Sequence, residues 1–260
     1  MSVPPDDPAD RRRFLRVVVQ SAGGFFFVGC LADSEDAGSP APPGGAAYDW
    51  DKFYWAYAVD TDRCIGCGSC MRACRAENDV PEGFYRTWVE RFEVDAAEEA
   101  HVDIATGRSA SFDRDALPPT AGRRKSFFVP KLCNHCKNSV CSQVCPVGAS
   151  YQTRDGVVLV DAQHCVGCAY CVQACPYATR FINPRSHIAD KCTFCYHRIT
   201  VGLPPACVLV CPTKARMYGN LKDRQDELQA ILHRRRYMLL KPELGTNPKC
   251  YYLGLDLEVV

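Results

Sequence analysis

The 260-residue sequence predicts a small α+β protein whose apolar core is thin for its length. Three observations lead there. Short segments rich in β-branched and aromatic residues alternate along the chain with brief helical stretches. Hydrophobic residues make up 47% and charged residues 23%, the mix of a folded chain rather than a disordered one. Cysteines number 18, far beyond what packing uses, so they serve as disulfides, metal ligands or cluster ligands, and their spacing must decide. Lys+Arg 31 against Asp+Glu 30 leaves a net charge of +1, which excludes a chain-wide basic field for nucleic acid.

The body begins near Tyr48. Strands are expected at 54–59, 127–129 and 156–160, each bounded by turn residues. Brief helices should follow the cysteine groups, at 71–78 and 172–175. Residues 92–125 read as a polar insertion, mostly loop. An amphipathic helix is expected from about Arg224 to Leu239, with Leu228, Ile231, Leu232 and Met238 inward and Arg234, Arg235 and Arg236 on a solvated face. Lys241 to Leu255 reads as an extended arm carrying Tyr251 and Tyr252.

The first thirty residues read as a targeting segment. Arg11-Arg12-Arg13-Phe14-Leu15-Arg16 leads into the moderately apolar run Val17 to Leu31, too short to span a bilayer comfortably but suited to a signal core. It resembles the bacterial twin-arginine export signal, which carries proteins folded in the cytoplasm. Phe27-Val28-Gly29-Cys30 resembles a lipobox with Phe where Leu is usual, making Cys30 a lipidation candidate. Otherwise Cys30 leaves with the signal or stays in an uncleaved anchor. Residues 31–48 follow as a flexible linker; sixteen such residues reach roughly 20–25 Å on average. No later apolar run reaches the length of a membrane span.

Sixteen cysteines fall into four sets of four. Cys64, Cys67, Cys70 and Cys74 are spaced C-x2-C-x2-C-x3-C, and Cys165, Cys168, Cys171 and Cys175 repeat that spacing. Cys133, Cys136, Cys141 and Cys145 widen one gap to four residues; Cys192, Cys195, Cys207 and Cys211 widen one to eleven. Proline follows the last cysteine in three sets, and Arg75 takes its place in the first. The C-x2-C-x2-C-x3-C-P run is the ligand pattern of bacterial [4Fe–4S] proteins. Three closely spaced thiolates bend a loop around one cube while the fourth, a helical turn on, points to another. Gly66, Gly68 and Gly167 let the backbone approach the sulfides. Disulfides suit an even cysteine count, but cysteines three apart on a tight loop are poor partners. Zinc takes two separated pairs rather than three plus one.

The four groups, over residues 52–215, resemble the four-cluster electron-transfer subunit of the molybdopterin oxidoreductases, the family of dimethyl sulfoxide, polysulfide and tetrathionate reductases. Related quinone-linked membrane modules use the same subunit type. Local matches are Asp62-Arg63-Cys64-Ile65-Gly66-Cys67, Cys133-Asn134-His135-Cys136, Cys145-Pro146-Val147-Gly148-Ala149 and Leu240-Lys241-Pro242-Glu243-Leu244-Gly245-Thr246. The resemblance implies two nested bacterial ferredoxin-like modules binding four [4Fe–4S] clusters, with loop insertions and a C-terminal helix and arm. The outer module would span 49–125 with 185–222, the inner 126–184, and 223–260 the helix and arm. Cluster 1 would use Cys64, Cys67, Cys70 and Cys211; cluster 2 Cys133, Cys136, Cys141 and Cys175. Cluster 3 would use Cys165, Cys168, Cys171 and Cys145; cluster 4 Cys192, Cys195, Cys207 and Cys74.

Other residues carry weaker signals. His101, His164, His187, His197 and His233 read as surface or supporting positions; His135, inside the second loop, could hydrogen-bond a sulfide and tune it. Cys250 reads as a free thiol. No nucleophile elbow, P-loop or dinucleotide fingerprint occurs, so the chain reads as a non-catalytic wire. The resemblance implies a relay between a polytopic quinone-interacting membrane subunit and a molybdopterin catalytic subunit of an exported complex. The alternative is a relay without a molybdopterin subunit, exchanging electrons with a multihaem or other cytochrome, and the chain's own export signal leans toward it. Either way the expected place is the periplasm or the outer face of the cytoplasmic membrane, held there by partners or a lipid anchor, with no nucleic acid.

Overall fold

A computed structural model describes residues 48–113, 125–256 and 259. The signal segment 1–30 with Cys30, the linker to Ala47 and residues 114–124 of the insertion lie outside the described residues. The strands are β1 (Trp55–Asp60), β2 (Thr87–Val94), β3 (Ala100–Ile104), β4 (Lys125–Leu132), β5 (Ser150–Gln152), β6 (Val158–Val160), β7 (Arg180–Ile182), β8 (Ala189–Lys191), β9 (Arg216–Asn220), β10 (Tyr237–Met238) and β11 (Cys250–Leu253). The helices are α1 (Ser69–Asn78), α2 (Val140–Gln143), α3 (Tyr170–Gln173), α4 (Tyr196–Ile199), α5 (Ala206–Leu209) and α6 (Glu227–Arg234). No helix among the described residues is long and apolar enough to cross a membrane.

One sheet, ordered β10-β11-β1-β9, anchors the interior. Every residue of β1 is buried, so both of its faces need cover. Alternation sorts them. Trp55, Tyr57 and Val59 face the main core, where they meet Cys70, Cys133, Cys192, Cys207 and Tyr252. Ala56 and Ala58 face the other way and meet Leu228 of α6, with Leu232 and Met217 packed around them. Small side chains there let the helix lie close. At Gly219 an added Cβ would stand 2.6 Å from Leu228 Cβ.

The helix is shorter than its hydrophobic pattern suggests, for reasons visible at both ends. Asp226 caps the start: Oδ1 accepts from Leu228 N at 2.8 Å while Oδ2 accepts from Asn220 N at 2.7 Å. Arg235 turns extended and ends it, donating to Asp60 and, at 3.1 Å, to Asp62. So Arg235 does not sit on a solvated helix face; it neutralises the fully buried Asp60. Met238 belongs to β10 rather than to the helix. Replacing Asp226 by Ala removes both acceptors and is expected to cost about 1–2 kcal/mol. A urea melt of the iron-loaded chain checks this, and Asp226→Asn, with one acceptor oxygen left, should recover the helix cap but not the bond from Asn220 N.

One further expectation is corrected and two are filled in. The C-terminal segment is no arm: β11 pairs parallel with β1, Tyr57 opposite Cys250 through Asp60 opposite Leu253, and Tyr252 and Leu253 are fully buried. The 92–125 region carries strand where none was expected: β2 ends in it and β3 lies within it. There β2, which begins at Thr87, pairs with β3 and along its whole length with β4. Their charged side chains obscured the pattern because they pair across strands, Arg91 with Asp103 at 2.8 Å and Lys131 with Glu90 at 2.7 Å, while Phe92 stacks on Phe127. Finally, module boundaries at 125/126 and 184/185 cut hydrogen-bonded units. The first falls inside β4 and the second between the paired strands β7 and β8. The strands expected at 54–59, 127–129 and 156–160 do form, as β1, β4 and β6, and the helix expected at 172–175 lies two residues earlier, as α3.

Four candidate metal centres

In every quartet the third cysteine sits on a helical turn and the fourth follows four residues later: Cys70 and Cys74, Cys141 and Cys145, Cys171 and Cys175, Cys207 and Cys211. Four residues climb about 6 Å along a helix, so the two sulfurs reach different spaces on one side. The fold gathers the sixteen cysteines around four cavities. Cys133, Cys136, Cys141 and Cys175 line the first, and Cys145, Cys165, Cys168 and Cys171 the second. Cys74, Cys192, Cys195 and Cys207 line the third; Cys64, Cys67, Cys70 and Cys211 line the fourth. Three cysteines of each cavity come from one loop and the remaining one from another.

Sulfurs facing across neighbouring cavities give the order of the sets: Cys70 beside Cys207, Cys192 beside Cys133, and Cys141 beside Cys171. The end cavities each have one exposed ligand candidate, Cys67 and Cys168, whereas all four cysteines of the Cys74 cavity are buried.

The donor set fits a polynuclear iron–sulfur group better than one ion. Four thiolates around a single zinc at 2.3 Å would stand roughly 3.8 Å apart. Among the described residues no three cysteine sulfurs lie within 4.8 Å of one another, so each set needs a larger object in its middle. The seventeen described cysteines are all free, Cys250 among them. Backbone amides already point at the sulfurs: Ser150 N–H at Cys145, Ala189 N–H at Cys165 and Phe194 N–H at Cys192, each at 3.4 Å. That is the hydrogen bonding thiolate ligands receive in iron–sulfur sites. Burial pushes the Cys64 thiol up to about 11 and the Cys136 thiol up to about 12. Such thiols keep their protons at neutral pH, so metal uptake must displace them and is favoured by rising pH. Cys67 and Cys145 go the other way. Burial opposes it, but the Ser69 hydroxyl and amide at Cys67, and the amide run from Val147 to Ser150 at Cys145, outweigh that cost.

The residue before the second cysteine is left-handed in every loop: Gly66 at φ +67, His135 at +42, Gly167 at +70 and Phe194 at +55. His135 and Phe194 bear that strain while buried and packed ring against ring, centroids 3.8 Å apart and tilted by 33°. His135 Nδ1 accepts from Val158 N at 3.0 Å, and burial with Lys191, Lys249 and Arg180 nearby keeps the ring well below its usual pKa and therefore neutral. Two other histidines take surface ion-pair positions, His164 against Asp161 and His197 against Glu77.

Gly68 shows which constraint decides at these loops. Ala169 holds the equivalent position in the third loop at φ +63, so the left-handed conformation alone is tolerable there. At Gly68, however, a Cβ would stand 2.1 Å from the Ala110 carbonyl oxygen. Neighbouring protein backbone, more than approach to a sulfide, requires this glycine. Gly68→Ala is expected to lower iron per chain by roughly four, one cluster's worth, whereas Ala169→Gly leaves it unchanged.

Sequence reasoning missed several side chains at the sulfurs. Tyr57 OH lies 3.2 Å from Cys207 Sγ, Ser139 Oγ 3.1 Å from Cys141 Sγ and Thr179 Oγ1 3.3 Å from Cys175 Sγ. Asn78 Nδ2 reaches both Cys74 and Cys195. Asn78 and Thr179 lie four residues after the last cysteine of their sets, a signal available in the sequence.

Known proteins agree with this chemistry. A family signature described as a 4Fe-4S dicluster domain matches residues 124–221, and a second of the same description matches residues 63–149. A tetrathionate reductase subunit of Salmonella typhimurium is 45% identical over 204 residues, 78% of this chain and 73% of the relative. Its namesake from Archaeoglobus fulgidus is 44% identical over 77% of this chain and 82% of its own length. A polysulfide reductase chain from Wolinella succinogenes is 36% identical over 74% and 90%. Both signatures describe iron–sulfur chemistry, in keeping with the cysteine-lined cavities. This protein belongs to the family of iron–sulfur electron-transfer subunits of the tetrathionate, polysulfide and related reductases.

Proposed function

We propose that the chain holds four [4Fe–4S] clusters, one in each cysteine-lined cavity, and relays electrons between a quinone-linked membrane subunit and a molybdopterin catalytic subunit. The observation that carries this reading is the partition of sixteen cysteines among four cavities, each completed by a cysteine from another loop. A bound [4Fe–4S] cluster takes up and gives back one electron. Cys64, Cys67, Cys70 and Cys211 hold the first, and Cys192, Cys195, Cys207 and Cys74 the second. Cys133, Cys136, Cys141 and Cys175 hold the third, and Cys165, Cys168, Cys171 and Cys145 the last. The chain's part is to fix their spacing through the exchanged cysteines, to keep water from the middle pair, and to aim amide and hydroxyl donors at the sulfurs. The partly exposed end sets, at Cys67 and Cys168, suit exchange with partners on opposite sides.

The exported location belongs to the same proposal and rests on Arg11-Arg12 and the apolar run after them; Cys30 is then a lipid-anchor candidate. That same signal favours a second reading, a relay to cytochromes without a molybdopterin subunit. A tagged pull-down from detergent-solubilised membranes, with metal analysis of the eluate, separates them. Molybdenum or tungsten with a large co-purifying polypeptide supports the first; haem and a polytopic polypeptide without either metal support the second. Recovery of the protein from the cytoplasmic fraction alone would remove both.

A further inference from the structure

Two arginines repeat at one distance behind the quartets. Cys175-Pro176 is followed by Arg180 and Cys211-Pro212 by Arg216, five residues after the cysteine in both cases. Each opens a strand, β7 or β9, and each is buried, at 4% and 2% exposure. Their surroundings match as well. Arg180 Nη2 donates to Ser150 Oγ and Arg216 Nη2 to Thr87 Oγ1, both at 2.8 Å. In both, Nε and Nη1 are buried and make no hydrogen bond of ordinary geometry among the described residues, while the guanidinium leans on Cys171 at Arg180 and on Tyr57 and Cys207 at Arg216.

A guanidinium sealed from water with so few ordinary hydrogen bonds is costly unless an anion stands against it. Its neighbours identify that anion. Arg180 lines the cavity of Cys133, Cys136, Cys141 and Cys175 and also lies beside Cys171 of the next set. Arg216 lines the cavity of Cys64, Cys67, Cys70 and Cys211 and lies beside Cys70 and Cys207, which belong to adjoining sets. Each arginine therefore stands between two cavities of one module. Lys191 differs: its Nζ already donates to the Val158 and Cys192 carbonyls.

We propose that Arg216 and Arg180 are tuning residues, each shared by two clusters of one module, whose fixed positive charge raises the reduction potentials of that pair. This rests on the four-cluster reading. Reduction adds one electron to an already anionic group, so a nearby cation favours the reduced form, and weak screening in the interior strengthens the effect. Arginine keeps its charge across the accessible pH range, which makes the bias constant. It acts through the clusters' electronics and not by ligation.

Potentiometric titration of the full chain, purified anaerobically and followed by EPR, tests this together with iron analysis. Wild-type protein far below roughly sixteen irons would sink the cluster reading itself, and this inference with it. With full iron, Arg216→Gln is expected to make two of the four clusters at least tenfold harder to reduce, about 59 mV for a one-electron couple. Arg180→Gln should do the same to the other two. Full iron with all four potentials within threefold of wild type overturns the proposal. If a Gln variant loses iron, the Lys variant at that position decides. With charge kept, Arg216→Lys or Arg180→Lys should hold its pair within threefold of wild type, and a tenfold shift there shows that hydrogen bonding and not charge set the potential.

Discussion

Removing iron from the anaerobically purified chain with a strong chelator is expected to unfold most of the region from Tyr48 to Leu255. The cysteines are part of the interior: Cys70, Cys133, Cys192 and Cys207 pack in the same core as Tyr57, Val59 and Tyr252. Without metal, the four cysteine-lined cavities would have to fill with water or collapse, and their walls are largely apolar. Several helices are single turns, far too short to hold by themselves. Metal binding energy is thus folding energy for this chain. Circular dichroism and limited proteolysis should show loss of structure in step with loss of iron. An iron-free chain with the protease resistance of the loaded one would contradict the claim.

The second large effect separates the outer cross-links from the inner. Cys211→Ala is expected to lower iron by roughly four and to loosen the whole fold, while Cys145→Ala should lose a similar amount of iron with a smaller loss of stability. Cys211 meets Cys64 across a span of about 150 residues; Cys145 meets Cys165 across about 20, and the closure entropy of the longer loop exceeds that of the shorter by about 2 kcal/mol. The local surroundings point the same way. Cys211 precedes β9, which pairs with the fully buried β1, whereas Cys145 precedes the two-stranded β5–β6 hairpin. Iron analysis and thermal melts of the two variants, side by side, measure the difference. Equal melting temperatures would show that the exchanged ligands do not carry the outer fold.

What the sequence disclosed follows from the range of each interaction. The quartets were legible because their spacing is local: three thiolates on one loop and a fourth on the next turn are visible in a dozen residues. Which quartet lends a cysteine to which cavity is not local, and it came from resemblance; the cavities group the same residues. The β2–β3 ribbon was missed because Glu90, Arg91 and Glu93 interrupt its apolar alternation, and the counter-charges of Glu90 and Arg91 lie on the partner strands. The tail read as an arm because the residues that make Cys250–Leu253 a buried strand lie almost two hundred positions earlier, in β1. Helix α6 was overextended because Ile231, Leu232 and Met238 share its period, while the pull of Asp60 on Arg235 is tertiary. Arg180 and Arg216 carried a sequence signal, the common distance from a Cys-Pro pair, but only burial and the shortage of ordinary hydrogen bonds give it meaning.

The most direct test of four clusters in one chain is the iron and acid-labile sulfide content of the anaerobically purified full-length protein, combined with a reductive EPR titration. Four [4Fe–4S] clusters require roughly sixteen irons and sixteen sulfides per chain and a reduced spectrum that accounts for four electrons. Roughly eight of each, with two electrons taken up, would mean that two of the cysteine-lined cavities do not hold clusters and that the chain is not a four-centre relay.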